Sequence, residues 1–445
     1  MLKTRLFVLM VLQLFIWGAW LPVIFGYLGN APLSFNSWQQ SWVINAFAIG
    51  SFAAMFFSTP FADRMFPAEK FLAASHLIGG VSILALTWVH DFNTFFILML
   101  VHCLAYVPTL SIANGLAFSH LTDAKDEFGP VRMGGTIGWI LAAWPLFFIL
   151  QGVPKDDQMA TKAYVFLIAG IAEIALAFFC LSLPHTPPKK GNGTQPFLIF
   201  LDSFKLLKHP FIAVLFIVTF IDAAVHQGYF ILTETFLSTA VKNDGDSIVT
   251  NWVKPIMNEN GLGIDAKWIM PIMSIGQVAE IGTMAVLGFF LKKLGWKLTM
   301  TIGVLGHVVR FAVFALMPDN VPLVIAINVI HGICYAFFFA TVYIFVDEFF
   351  PKSMRSTAQG MFNFLIFGMG PFVGTFVWPM TKDLAPLDAK GNILDYQNVF
   401  LAPAGTALVA AAILFIFFRV PDRYGHELPA TRHNGEGDEI LGKSV

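Results

Sequence analysis

The chain has 445 residues, of which 57% are hydrophobic and only 12% charged, a balance that no water-soluble fold of this length could bury. Its formal net charge of -1 gives no footing for a nucleic-acid partner, so the information lies in where the basic residues fall. Three cysteines, Cys103, Cys180 and Cys334, lie in apolar stretches without CxxC or Cys/His spacing, which argues for buried thiols and against a metal site or disulfide framework.

Windows of about twenty apolar residues, the length that crosses a ~30 Å hydrocarbon core, begin near residues 5, 39, 69, 93, 130, 161, 210, 265, 297, 320, 356 and 396. They predict an all-α polytopic membrane protein of 12 transmembrane helices. The first window follows a basic flank, Met1 to Arg5, but no small-residue cleavage site precedes the next polar loop, so it reads as a retained helix. At the end of the second, Asp63 and Arg64 form a charge pair suited to locking neighbouring helices in one state and releasing them in another. Asn114 in the fourth window and Glu173 in the sixth are polar without an assigned role.

Between the sixth and seventh windows, Pro184 to Pro196 combines Pro, Gly and Lys and reads as a linker. The predicted organisation is an N-terminal six-helix half over 1–184, a cytoplasmic linker over 185–209, a C-terminal six-helix half over 210–420 and a disordered cytoplasmic tail over 421–445. Counting Lys and Arg in alternate loops gives 18 on the side of the termini and 7 on the other, Lys162 among them, which predicts cytoplasmic termini.

A polar group at membrane depth is costly unless it faces a cavity or a partner. Each therefore has two readings, a pathway residue or a helix-to-helix hydrogen bond. Repetition at helical spacing strengthens the first. The fifth window carries Arg132, Thr136 and Trp139 on one face; the seventh brings Asp222, His226, Gln227, Tyr229 and Glu234. The eighth has Gln277 and Glu280 three apart, and the tenth has His331 and Tyr335 four apart, followed by Phe338 and Phe339. Amides, a guanidinium, a carboxylate and aromatic plates suit a ligand with a flat face and hydroxyls, a description that fits a nucleoside, a sugar or an aromatic drug alike. Glu280 is a candidate for proton coupling, because a carboxylate in a partly dry site can be loaded and unloaded near neutral pH. It serves equally as a hydrogen-bond acceptor for substrate. His331 has the same two readings, relay or donor, and Asp222 is a further coupling candidate. Arg310, beside His307 in the ninth window, reads as one half of a structural ion pair with another helix.

Two six-helix halves, a basic central loop and the Asp63-Arg64 pair resemble the major facilitator superfamily. Longer strings narrow the resemblance: Gln13 to Leu21 (QLFIWGAWL), Ala105 to Leu110 (AYVPTL), Arg132 to Gly138 (RMGGTIG), Leu183 to Pro187 (LPHTP) and Arg355 to Phe362 (RSTAQGMF) look like the nucleoside:proton symporter family, best known from the enterobacterial nucleoside permeases. The resemblance implies a bacterial inner-membrane secondary transporter, not an enzyme, that imports nucleosides with protons by alternating access around a central cavity. It implies a substrate site of Arg132, Thr136, Trp139, Gln227, Phe230, Gln277, Glu280, His331 and Tyr335, with no cofactor and no metal. Its partners would be a nucleoside, a proton and the lipid bilayer, and the chain is expected to act as a monomer. Three departures bear on substrate and coupling: Phe230 stands where the enterobacterial members have asparagine, His331 where they have tyrosine, and Ala336 where they have aspartate. They keep open a carrier of another hydroxylated solute, a sugar or modified riboside. A membrane enzyme lacks support in an HExxH or GxSxG motif, and a sensor lacks an output domain.

Overall fold

The computed structural model describes residues 2–30, 32–54, 65–122, 124–188, 204–238, 263–350, 352–385 and 395–419. Asp63 and Arg64, residues 189–203 of the linker and the 421–445 tail lie outside the described residues. The fold is all-helical. Its long helices are α1 (Leu2–Gly29), α2 (Ser37–Ala53), α3 (Ala68–Trp88), α4 (Phe92–His120), α5 (Glu127–Leu150), α6 (Asp157–Cys180), α7 (Pro210–Ser238), α8 (Ala266–Leu316), α9 (Val321–Phe349), α10 (Ala358–Met380) and α11 (Gln397–Phe417). Among the described residues, 10 of these are long and apolar enough to cross a membrane, α2 being the exception with 17 residues before the description stops. α8 is really two arms. At Gly295 the backbone turns to φ 73° and ψ 173°, a left-handed conformation that glycine adopts without Cβ strain, so 266–294 and 296–316 are separate helical segments.

Local sequence sets the helix starts. Asn36 accepts from the Gln39 amide at 2.9 Å while the Gln39 side chain accepts from Asn36, a reciprocal capping box that opens α2. Asp91 caps α4 by accepting from Thr94 N at 2.9 Å, and this bond to the charged form holds its carboxyl below the ordinary aspartate range.

Helices in lipid have no hydrophobic drive toward one another, so close packing rests on small residues and polar bonds. α1 lies against α5 and α6, α3 against α4 and α6, and α2 against α4; later in the chain α7 lies against α10 and α11, and α8 against α9 and α11. The RMGGTIG string is the α1–α5 contact. A Cβ at Gly134 would stand 2.8 Å from the Phe7 carbonyl oxygen, and one at Gly138 would overlap the Val11 carbonyl oxygen.

Lys3 pairs with Glu127 at 2.6 Å and Arg5 bonds the Ser182 carbonyl at 3.0 Å, so the chain start marks one end of the bundle, here the near end. At the far end the two groups of helices are fastened together. Lys162 of α6 pairs with Glu234 of α7, and both side chains are fully buried. Lys162, expected in a polar loop, is instead in the interior, because Gly26 of α1 leaves room for the carboxylate it meets; a Cβ at Gly26 would overlap Glu234. Ser41 of α2 donates to the Thr375 carbonyl at 2.7 Å and Thr375 donates to Asn45 at 2.6 Å. Phe147 meets Trp268 at 4.8 Å, and Phe52 meets Phe364 at 5.3 Å nearer mid-depth.

Candidate functional site

A small cavity lies where α1, α5, α7 and the first arm of α8 converge, lined by Gly18, Pro22, Trp139, Ala143, Phe230, Met270, Met273, Ser274 and Gln277. Gly18 allows Trp139 to lie against α1, since a Cβ there would come within 3.1 Å of the indole. The indole is edge-on to Trp17 at 5.3 Å and meets Phe230 in a T-shaped contact at 6.1 Å and 61°. Two aromatic groups from different parts of the chain thus flank the space, with the Gln277 amide beside them. That combination, mostly apolar with one placed polar group, is the general character of a small-molecule site.

Glycines also place Gln277 and its neighbours. A Cβ at Gly276 would stand 2.7 Å from His331 Cβ, and one at Gly332 would stand 2.5 Å from the backbone of Ala279 and Glu280, so α9 crosses α8 at near-backbone contact. Gln277 and His331 meet there, with Gln277 Nε2 and His331 Nε2 at 3.3 Å. Tyr335 begins a π-helical turn over Tyr335–Ala340 within α9, and a second spans Phe364–Met369 in α10; such turns concentrate at functional positions.

Glu280, one helical turn from Gln277, interacts electrostatically with Arg132 of α5, and Tyr335 feels both groups. Tyr343 lies within range of Arg132 and Tyr335. Trp139 and Gln277 therefore form one layer, while Arg132, Glu280 and Tyr335 form another nearer the chain termini. From helix rise, the Arg132 to Trp139 spacing is about 10 Å along the axis.

Arg310 departs from expectation. Its guanidinium is fully buried and hydrogen-bonds two imidazoles, His331 Nδ1 and His307 Nδ1, each at 2.9 Å, while stacking on Tyr229 at 4.0 Å. Among the described residues no carboxylate touches it directly: Asp222 lies behind His307, 3.7 Å from Nε2. The sequence predicted an ion pair with another helix; the partners found are the rings of His331 and Tyr229 from other helices and of His307 from α8 itself. Tyr229 in turn donates to Asn328 at 2.8 Å, and His226 lies 5.0 Å from the His331 ring.

Of the nine substrate residues expected from sequence, Trp139, Phe230 and Gln277 line the cavity. Arg132, Glu280 and Tyr335 form the electrostatic layer, and Thr136 is half-buried on the same α5 face. Gln227 is buried on α7, where Gly374 of α10 packs against its Cβ. His331 is buried with both ring nitrogens facing protein groups, and Asp222 sits behind the cavity rather than on it. Sequence reasoning missed Gly18, Pro22, Ala143, Met270, Met273 and Ser274 as lining residues, because the first five carry no polar signal and the Ser274 hydroxyl, spent on the Pro271 carbonyl at 2.7 Å, stands alone on its helix turn. Glu173 now has partners: His76 Nδ1 at 3.3 Å and His102 Nδ1 at 3.0 Å, all buried, with Gln13 on His76 at 3.1 Å.

The sequence pattern shared by the nucleoside H+ symporters matches residues 1–423. The chain belongs to the nucleoside H+ symporter family. It is 28% identical to the xanthosine permease of Escherichia coli over 440 residues, covering 96% of this chain and 98% of the relative. The crystal structure of the nucleoside transporter NupG superposes with a TM-score of 0.77 at 26% identity, over 94% of this chain and 100% of that one. A D-xylose-proton symporter shares the fold at a TM-score of 0.68 and 14% identity, covering 94% of this chain and 98% of that one. The fold is thus of the major facilitator type and the neighbours are transporters, not enzymes.

Proposed function

We propose that this nucleoside:proton symporter carries its substrate through the cavity at the junction of α1, α5, α7 and α8, with the nucleobase against Trp139 and Phe230 and the Gln277 amide on one polar edge. The observation that carries this reading is the aromatic pair itself, contributed by helices on either side of the central linker. Arg132, Thr136, Gln227, Glu280 and Tyr335 complete the ligand's polar contacts as the cavity widens, and Glu280, held near Arg132, is the group that takes up the proton.

Counting α2 and both arms of α8 as crossings, the chain spans a bacterial inner membrane 12 times as two six-helix halves, 1–184 and 210–420, with both termini cytoplasmic and a monomer as the working unit. The far end is then the outer face, and the Lys162–Glu234 pair closes it. Rocking of the halves about the cavity gives alternating access, driven by the proton gradient.

The test is uptake of labelled uridine and adenosine into proteoliposomes, with and without an inward proton gradient, for wild type and Glu280→Gln. Wild type should accumulate nucleoside against its gradient, and the variant should exchange it without accumulating it. Gradient-driven accumulation that survives in Glu280→Gln removes Glu280 from coupling. No uptake of either nucleoside sends the cavity reading to another hydroxylated solute.

A further inference from the structure

Arg310, His331 and Gln277 form a line of hydrogen bonds whose directions are fixed by chemistry. Arginine offers only donors, so His331 Nδ1, 2.9 Å from the guanidinium, must present a lone pair. A second positive charge on the imidazole at that distance is disfavoured, so the ring is neutral and its proton is on Nε2. That N–H points at the Gln277 amide, 3.3 Å away. It needs an acceptor, which on Gln277 is Oε1; an amide nitrogen at that place would set donor against donor and leave Oε1 buried without a partner among the described residues. Exchanging the two amide ends, which are alike in shape, satisfies the imidazole and leaves the Gln277 NH₂ as the free end.

We infer that His331 is a positioning residue for substrate: held by Arg310 in its Nε2–H tautomer, it locks the Gln277 amide so that the cavity presents N–H donors, selecting a ligand atom that accepts a hydrogen bond. The inference rests on the reading of this cavity as the nucleoside site. Arg310 is itself held from behind, by stacking on Tyr229 and by His307, whose remaining nitrogen faces Asp222. Close approach at Gly276 and Gly332 removes the slack that would let the imidazole swing away. The departure at position 331 thus acts one bond away from the ligand, through an amide. It gives His331 and Arg310 a role in specificity without either touching substrate.

The experiment is equilibrium binding to the purified full-length protein of labelled uridine and inosine, which carry a carbonyl oxygen at pyrimidine position 4 or purine position 6, and of cytidine and adenosine, which carry an amino group at the same position. Transport KM and Vmax are measured alongside. His331→Leu removes both bonds; His331→Gln keeps an acceptor for Arg310 and a donor for Gln277. His331→Leu should lose about tenfold in affinity for the preferred nucleosides and narrow the spread across the four. In transport the loss should appear in KM, with Vmax retained, and His331→Gln should stay within a fewfold of wild type. Unchanged affinities in His331→Leu overturn the inference, as do equal losses in both variants. A wild-type protein that binds none of the four nucleosides overturns the cavity reading itself, which separates the two failures.

Discussion

Replacing Lys162 with alanine tests the fastening at the far end of the bundle. Lys162 and Glu234 are both fully buried, and Glu234 Oε2 has no hydrogen-bond partner among the described residues, so the variant leaves a carboxylate without its cation in a dry site. Removing one partner of such a pair costs about 3–5 kcal/mol. Lys382, within electrostatic range of Glu234, holds the effect toward the lower end of that range. The penalty falls on the closed arrangement alone, because opening the far end lets water reach Glu234. A 3 kcal/mol penalty shifts the closed-to-open ratio by on the order of a hundredfold. The assay is pulsed electron resonance between spin labels at two exposed far-end positions, Trp88 of α3 and Met317 just beyond α8, in a background cleared of the three buried cysteines. Lys162→Ala should lengthen the label distance, and the double variant Lys162→Met with Glu234→Leu should restore the short one, since an apolar pair fills the site without a stranded charge. The same distance distribution in wild type and Lys162→Ala, or one that stays long in the double variant, refutes the reasoning.

Three further outcomes follow from the packing. Gly138→Val forces α5 off α1 at the Val11 carbonyl and should cost a few kcal/mol, read as a lower unfolding temperature in detergent. Glu173→Leu strips the acceptor from His76 and the charge partner from His102, whose Nδ1 keeps the Gly79 carbonyl at 3.2 Å, in a fully buried cluster; the loss of about 2–4 kcal/mol should appear as lowered thermal stability, with nucleoside affinity unchanged because none of these residues lines the cavity. Phe230→Asn exchanges one of the two aromatic walls for an amide and should change the competition profile among purine and pyrimidine nucleosides, whereas an unchanged profile places the base elsewhere.

The sequence by itself determined the solvent of this fold and the positions of its helices. Twenty-residue apolar windows are dictated by bilayer thickness, and they lead to the helices observed, including the break at Gly295 between the windows beginning near 265 and 297. Helical spacing also sufficed to put Arg132, Thr136 and Trp139 on one face and Gln277 and Glu280 on another, because a helix fixes its own side-chain directions. Partnership across helices was not legible. Arg310 meets His331 rather than an acid, Lys162 is buried on Glu234 rather than in a loop, and Glu173 meets His76, pairings that join residues 21, 72 and 97 positions apart. Only the tertiary structure decides such contacts. In lipid they depend on where glycines such as Gly26, Gly276 and Gly332 let backbones touch, and a glycine's place in the sequence says nothing of what will fill the space it leaves.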